Sequence, residues 1–430
     1  MKYYSLNHNS KSCLFHDAVK RGLAPDRGLY FPESIPQLPQ SFFKEIEKMS
    51  ITEMAYKVIK PFVGNQLLKN ELMEIVSETL DFDFPIVEIT DDIAALELFQ
   101  GPTLAFKDVG ARFMARSLKS LNRDGEQKIT VLVATSGDTG GAVANGFFEV
   151  DGVNVVILYP KGKVSEIQEK QLTTLGKNIT ALEVDGVFDD CQEMVKTAFL
   201  DSGLSSINLT SANSINVARW LPQMFYYFIA YRSLKHKNRK LVFSVPSGNF
   251  GNICAGIMAQ QMGLPIAHFI ASTNANDSVP RYLETGNYDP QPTIQTLSNA
   301  MDVGNPSNFI RIQKIFNNDV VKMKKNLSGF RYTDQETKKA LKEIYDLKGY
   351  IADPHGAVGY LGLKEYLAKE KEGQYGVFLE TAHPVKFLDT VKKTLKLEVP
   401  IPERLKETLS KEKISIPIRD YSELKGFLLN

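Results

Sequence analysis

Cysteine is scarce in this sequence: only Cys13, Cys191 and Cys254 occur among 430 residues. Their number is odd and no CxxC spacing is present, which argues against a disulfide framework and a structural zinc site, and no metal is expected. Long apolar runs are missing as well. Nothing approaches the roughly 18 consecutive apolar residues of a membrane helix, and the opening MKYYSLNHNSKSC lacks a signal-peptide core, so neither the membrane nor secretion is expected. A reducing cytoplasm is the expected compartment. Charge of one sign is not in excess, since Lys+Arg 51 against Asp+Glu 50 gives a net charge of +1. That balance offers no field for nucleic acid or an anionic membrane, so any bound anion must be held by local groups. No GKS or GKT marks a P-loop, and no GxGxxG is followed by an acidic ribose ligand, which weakens a nucleotide-dependent dehydrogenase.

What remains is an ordinary globular composition, with 43% hydrophobic and 23% charged residues. A chain of this length predicts two or three compact units with a cleft between them. Residues 1–95 carry helical patterns, SFFKEIEKMSITEMAYKVIKPFV and NELMEIVSETLDF, around a Pro/Gly-rich stretch, and read as a separate N-terminal unit. Residues 96–430 change to short β-branched runs that end in glycine loops and lead into helical patterns. Strands are expected near Ile129 to Ala134, Val155 to Tyr159, Leu241 to Val245 and Gly376 to Leu379. Helices should open near Thr139 and Gly251, and another should run from about Ala218 to Tyr227 with Trp220 and Phe225 in the core. Such alternation implies an α/β fold with parallel pairing and right-handed crossovers. Ligands of such sheets gather beyond the carboxyl ends of the strands, where the glycine loops fall.

Three of these segments carry candidate chemistry. The loop SGNFGN, Ser247 to Asn252, puts glycines between a strand and a helix start. It reads as a phosphate cradle built from backbone N–H groups, or as a tight turn in which glycine supplies φ > 0. The loop SGDTGG, Ser136 to Gly141, reads as a second anion site, for a carboxylate or a phosphate, or as helix capping by Ser136, Asp138 or Thr139. In GPTLAFKDVGARFMARSL, Lys107 follows the apolar Leu104, Ala105 and Phe106. A lone lysine is usually a solvated surface group, but a desolvated one has a depressed pKa and becomes an amine nucleophile.

Together ELFQGPTLAFKDVGARFMA, VATSGDTGGAVA, SANSINVAR, SVPSGNFGN and ETAHPVKF, with RGLAPDRGLYFP near the start, resemble the bacterial and fungal type of threonine synthase, in the family's order and over nearly the whole chain. The resemblance implies pyridoxal-phosphate (PLP) fold type II, the tryptophan synthase β-like architecture. That is two open parallel-sheet α/β domains, the smaller at roughly 110–230, with a mainly helical N-terminal unit. It implies conversion of O-phospho-L-homoserine and water to L-threonine and phosphate by a lyase that is a monomer or homodimer. Lys107 would carry PLP as a Schiff base. The loop Ser247, Gly248, Asn249, Phe250, Gly251 and Asn252 would hold its phosphate, and Thr381 its ring nitrogen. The substrate's phosphate would fall to Ser214, Arg219, Thr139 and Asn249, and its carboxylate to Ser136 and the neighbouring Gly137 amide.

The bland readings of the substrate residues are capping for Ser214 and Thr139, a surface ion pair for Arg219 and a turn for Asn249. Asp138 is placed at the cofactor with its role open. Many relatives of this fold carry Asn there, which can donate a hydrogen bond where an ionised Asp cannot. Glu380 stands where a small residue is expected, and it is accommodated if it points away from the cofactor. His355 and His383 receive no role. Two rivals remain. A hydroxyamino-acid dehydratase would use the same lysine and loop but need no Arg219 for a phosphate, and a non-catalytic phosphometabolite sensor would have no use for Lys107.

Overall fold

The computed structural model describes residues 1–122, 128–369 and 373–430. Its strands are β1 (Lys2–Ser5), β2 (Cys13–Leu14), β3 (Tyr30–Pro32), β4 (Ile86–Glu88), β5 (Ile93–Glu97), β6 (Ile129–Ala134), β7 (Val153–Pro160), β8 (Ile179–Val184), β9 (Asn208–Ser211), β10 (Lys240–Pro246), β11 (Ile266–Thr273), β12 (Leu327–Arg331), β13 (Gln374–Glu380) and β14 (Ile416–Ile418). They form three sheets, ordered β2-β1-β3, β12-β11-β10-β13-β5-β4 and β14-β8-β7-β6-β9. The interiors of the two large sheets are parallel, with β10 and β13 paired from Lys240↔Gln374 to Ser244↔Phe378 and β6 and β7 from Ile129↔Val153 to Ala134↔Leu158. Their strands read as continuous apolar runs because helices cover both faces.

Several sequence expectations need adjustment. The six-stranded sheet is mixed, because β4 and β5 are joined by a short turn and pair antiparallel. Strand β5 straddles position 95/96 and belongs to the six-stranded sheet. Near the other end of the chain, β14 pairs with β8, which brings residues far beyond 230 to the edge of the smaller sheet. The N-terminal segment contains the antiparallel sheet β2-β1-β3 as well as helices. Tyr3, Phe15 and Phe31 belong to the main apolar cluster, where Phe31 stacks on Trp220 at 5.8 Å. The helix expected at 218–227 is broken into Val217–Trp220, a 3-10 turn Leu221–Gln223 and Met224–Leu234. Pro222 explains the break, since it has no N–H for the helical ladder.

Arg311 ties these parts together. It is fully buried over the Trp220 ring, and its guanidinium donates to the carbonyls of Tyr30 at 3.0 Å, Ile215 at 2.6 Å and Ser214 at 3.2 Å. One cation thus fixes β3 to the loop that carries Ser214. Among the described residues no helix is long and apolar enough to cross a membrane.

A pH response follows from the packing of His268 on β11. Its ring stacks on Tyr366 at 4.7 Å and shares a hydrogen bond with Ser328 at 2.8 Å, and burial pushes its pKa down to about 4. The folded state therefore favours the neutral ring. Its contribution is present above the unfolded value near 6.5 and is lost as pH falls toward 4, by up to roughly 3 kcal/mol. His268→Phe keeps a stacking ring and should flatten the fall in Tm between pH 6.5 and 4. An unchanged slope would place the acid sensitivity elsewhere.

Candidate active site

A cavity lies beyond the carboxyl ends of β6, β9, β10 and β13, between the two large sheets. It is lined by Lys107, by Ser136, Asp138 and Thr139 after β6, by Ser214 and Arg219 after β9, by the whole loop Ser247 to Asn252 after β10, and by Thr381 after β13. Five separate sequence segments therefore converge on one space.

Lys107 is the first residue of the helix Lys107–Leu121, and the turn before it is held on two sides. Phe106 N–H donates to the Thr381 carbonyl at 2.9 Å, His383 N–H donates to the Leu104 carbonyl at 3.0 Å, and the Tyr226 hydroxyl donates to the Phe106 carbonyl. These bonds aim Lys107 into the cavity with its side chain 16% exposed. Burial lowers its pKa, opposed by Asp138 and reinforced by Lys386 and Arg219.

The loop after β10 leads into the helix Gly251–Gln261, whose first ladder bond runs from Cys254 N–H to the Phe250 carbonyl. The amides of Gly251, Asn252 and Ile253 precede that bond and need an acceptor from outside the helix. Phe250 adopts φ 59°, which turns the chain into the helix. A Cβ on Gly248 would lie 2.7 Å from the Ala300 carbonyl oxygen, so only glycine lets the loop pass this close. Together these features leave three amides at a tight glycine turn, facing the cavity end of the helix and open to an acceptor.

The loop after β6 is built around Thr135, whose hydroxyl accepts from Gly137 N–H at 2.9 Å and Gly140 N–H at 2.8 Å. The helix Asp138–Phe147 begins at Gly137 with no side-chain cap, so Ser136, Asp138 and Thr139 are not capping residues. Gly137 serves the geometry of the loop itself. It does not line the cavity, its amide is engaged by Thr135, and its φ of 131° beside Gln168 is a backbone requirement.

Asp138 is buried and triply held: Lys386 Nζ lies 2.9 Å from Oδ1, Gln168 Nε2 donates to Oδ1 at 3.0 Å, and Lys107 Nζ lies 3.5 Å from Oδ2. These cations hold its carboxyl well below the usual range in spite of burial. Among the described residues Arg219 makes no surface ion pair. Only 3% exposed, it donates from Nη1 to the Ala212 carbonyl, while its Nε has no partner; burial lowers its pKa to about 10, so it stays charged at neutral pH. Ser214 Oγ accepts from Asn308 Nδ2 at 3.0 Å, and Asn249 Oδ1 accepts from the Ser307 hydroxyl at 3.1 Å.

Several lining residues escaped sequence reading: Asn213, Gln223, Phe188 and the turn 299–303. Gln223 Oε1, Asn299 Oδ1, Asn252 Nδ2 and Arg219 Nε are all buried at this cavity without a hydrogen-bond partner, a cluster that calls for a polar guest. Glu380 turns away from the cavity, accepting Asp353 N–H at 3.2 Å, with its pKa raised by burial and by Asp353. His355 does line the cavity, but its ring is engaged at both nitrogens, with Asp353 at 2.5 Å and with Ala300 N–H at 3.2 Å. His383 caps a 3-10 turn by accepting Val385 N–H at 3.1 Å, and burial pushes it down to about 4.

Comparison with known proteins bears on the whole chain. Residues 2–80 match the family described as threonine synthase N terminus, 91–380 the pyridoxal-phosphate dependent enzymes, and 356–427 the family described as threonine synthase, C-terminal. A threonine synthase of Buchnera aphidicola is 45% identical over 433 residues, covering 100% of both chains. The crystal structure of threonine synthase from Escherichia coli superposes with a TM-score of 0.94 at 41% identity, covering 100% of each chain. A PLP-bound threonine synthase from Brucella melitensis gives a TM-score of 0.92 at 34% identity, over 100% of this chain and 98% of that one. A match that runs from end to end at this identity is a match of the whole protein and not of one shared domain, and the chain therefore belongs to the threonine synthase family of pyridoxal-phosphate dependent enzymes.

Proposed function

We infer that this chain converts O-phospho-L-homoserine and water to L-threonine and phosphate with PLP as cofactor, and that Lys107 is its catalytic amine. The observation that carries the assignment of the site is the convergence of a desolvated lysine and two anion-binding features, the glycine cradle and the unpaired Arg219, on one cavity. A ligand pair bearing two phosphates fits that arrangement. The residues present also suit the cofactor. Lys107 supplies the amine for its aldehyde, the amides of the Ser247 to Asn252 loop its phosphate site, and the Thr381 hydroxyl a neutral partner for its ring nitrogen. When bound, PLP supplies an electron sink for the bond broken next to the substrate nitrogen.

The chain's own residues do the rest. With the cofactor bound, Lys107 would be the amine that takes a proton from the substrate's Cα and returns one at a neighbouring carbon, because burial keeps it from holding a proton tightly. Arg219, Ser214, Thr139 and Asn249 bind the substrate phosphate, and Ser136 orients the carboxylate. The same cation side that binds the phosphate stabilises it as it leaves. The water is activated by the departing phosphate, since His355 and His383 are both held in structural bonds.

Purified protein should turn over O-phospho-L-homoserine with release of phosphate, and borohydride reduction of the loaded enzyme followed by peptide mapping should mark the Lys107 peptide. Ammonia release from serine or threonine without any phosphate release would favour the dehydratase instead. Thr381→Val deletes one hydroxyl and leaves the Phe106 N–H bond, which uses the backbone carbonyl of position 381, in place. It should alter the cofactor absorption and slow turnover roughly 2- to 10-fold, the worth of one neutral hydrogen bond. An unchanged spectrum and rate would remove Thr381 from the site.

A further inference from the structure

Lys386 is fully buried in the turn Pro384–Phe387, between Val385 and Phe387, and it does not line the cavity. A buried ammonium is costly unless it is paired, and its partner is Asp138, 248 positions away in sequence. Asp138 in turn faces two cations. Lys386 holds Oδ1 at 2.9 Å, with Gln168 on the same oxygen, while Lys107 stands 3.5 Å from Oδ2, at the limit of a hydrogen bond. The nearer, drier cation therefore takes most of the carboxylate's compensation.

We propose that Lys386 is a positioning residue for the reaction: by occupying Asp138 it stops that carboxylate from capturing the Lys107 ammonium, and so leaves Lys107 as the free amine of the site. Two ammonium groups around one carboxylate carry an excess of one positive charge in a dry environment. That excess is relieved when one amine loses its proton, and the more weakly bonded Lys107 is the one that yields. The other charged groups facing the cluster act in the same sense or lie further off. Arg219 opposes a proton on Lys107, Asp108 lies toward Lys386 and Arg219, and His383 on the Lys386 turn is kept neutral by burial. Asp138 and Lys386 thus behave as a neutral unit, which accounts for a carboxylate at the bottom of a site built for anions.

The proposal rests on Lys107 being the reactive amine, and its test is separable from the test of that assignment. The pH dependence of Lys107 acetylation is measured by mass spectrometry on the full-length chain prepared without cofactor, so no turnover is needed. Lys386→Met should raise the Lys107 labelling midpoint by roughly one pH unit, because it removes a repelling charge and frees Asp138 to pair with Lys107. Asp138→Asn should lower it, and Asp138→Asn combined with Lys386→Met should return it close to the wild-type midpoint. A merely structural Lys386 would leave the midpoint of Lys386→Met unchanged, and that result overturns the proposal. Should Lys386→Met alone fail to fold, recovery of the fold in the double variant supports the pairing, and failure of both overturns it. Borohydride mapping that misses Lys107 would instead refute the assignment of the amine.

Discussion

Replacing Lys107 by alanine should lower turnover of O-phospho-L-homoserine by about 10²- to 10⁴-fold, the range typical of a removed acid–base group. The protein should still fold. The turn that presents Lys107 is tied down through backbone atoms, Phe106 N–H to the Thr381 carbonyl and His383 N–H to the Leu104 carbonyl, and the Tyr226 hydroxyl reaches a backbone carbonyl too. None of these bonds uses the lysine side chain. Asp138 would keep Lys386 and Gln168, so no buried carboxylate is orphaned by the change. The loss can then be assigned to chemistry, and a circular dichroism spectrum matching wild type beside the lowered kcat is the expected pair of results. Turnover within a few-fold of wild type would mean that another amine does this work, and Lys386, too buried to line the cavity, would be a poor replacement.

The contrast between those two lysines shows what a sequence makes legible. Lys107 could be singled out because it opens a helical segment behind three apolar residues, a local pattern with a local chemical meaning. The cradle Ser247 to Asn252 and the loop at Ser136 were legible for the same reason: each is one strand, one glycine turn and one helix start within about a dozen residues, the scale of a single βα loop. Lys386 had the same kind of signal, a charge between Val385 and Phe387, but its meaning depends on Asp138 across the sheets. The turn 299–303 and Gln223 enter the cavity only because separate loops meet there, and nothing in their own spacing marks them.

Topology divides in the same way. The parallel core followed from alternating strands and helices. The antiparallel β4, the late edge strand β14 and the small N-terminal sheet are short, so a period of two has almost no residues in which to show itself. The capping reading of the loop after β6 failed on physical grounds as well. Capping by Ser136, Asp138 and Thr139 was displaced by Thr135, whose hydroxyl holds the loop from inside.

Arg219→Ala should weaken kcat/KM for O-phospho-L-homoserine by about 10- to 150-fold, from the 1.5 to 3 kcal/mol typical of a hydrogen bond to a charged group. The structure strengthens the case for a phosphate contact over the surface ion pair that its sequence position also allowed. Among the described residues no carboxylate pairs with this buried guanidinium; one N–H group goes to the Ala212 carbonyl and Nε is left unsatisfied at the cavity. A charged group buried in this state is expensive, and an anionic guest relieves the cost. The same burial makes truncation hazardous, since Arg219, on the short helix that also bears Trp220, packs closely against Gly110, and the cavity left behind could loosen the fold. The measurement therefore needs an internal control. Cofactor occupancy and the slow deamination of serine or threonine, substrates without a phosphate, should be followed in the same variant. A role in phosphate recognition requires the phosphorylated substrate to suffer while the side reaction stays nearly untouched. Equal losses on both would make Arg219 a prop of the loop after β9, and the phosphate would then have to be read by Ser214, Thr139 and Asn249 alone.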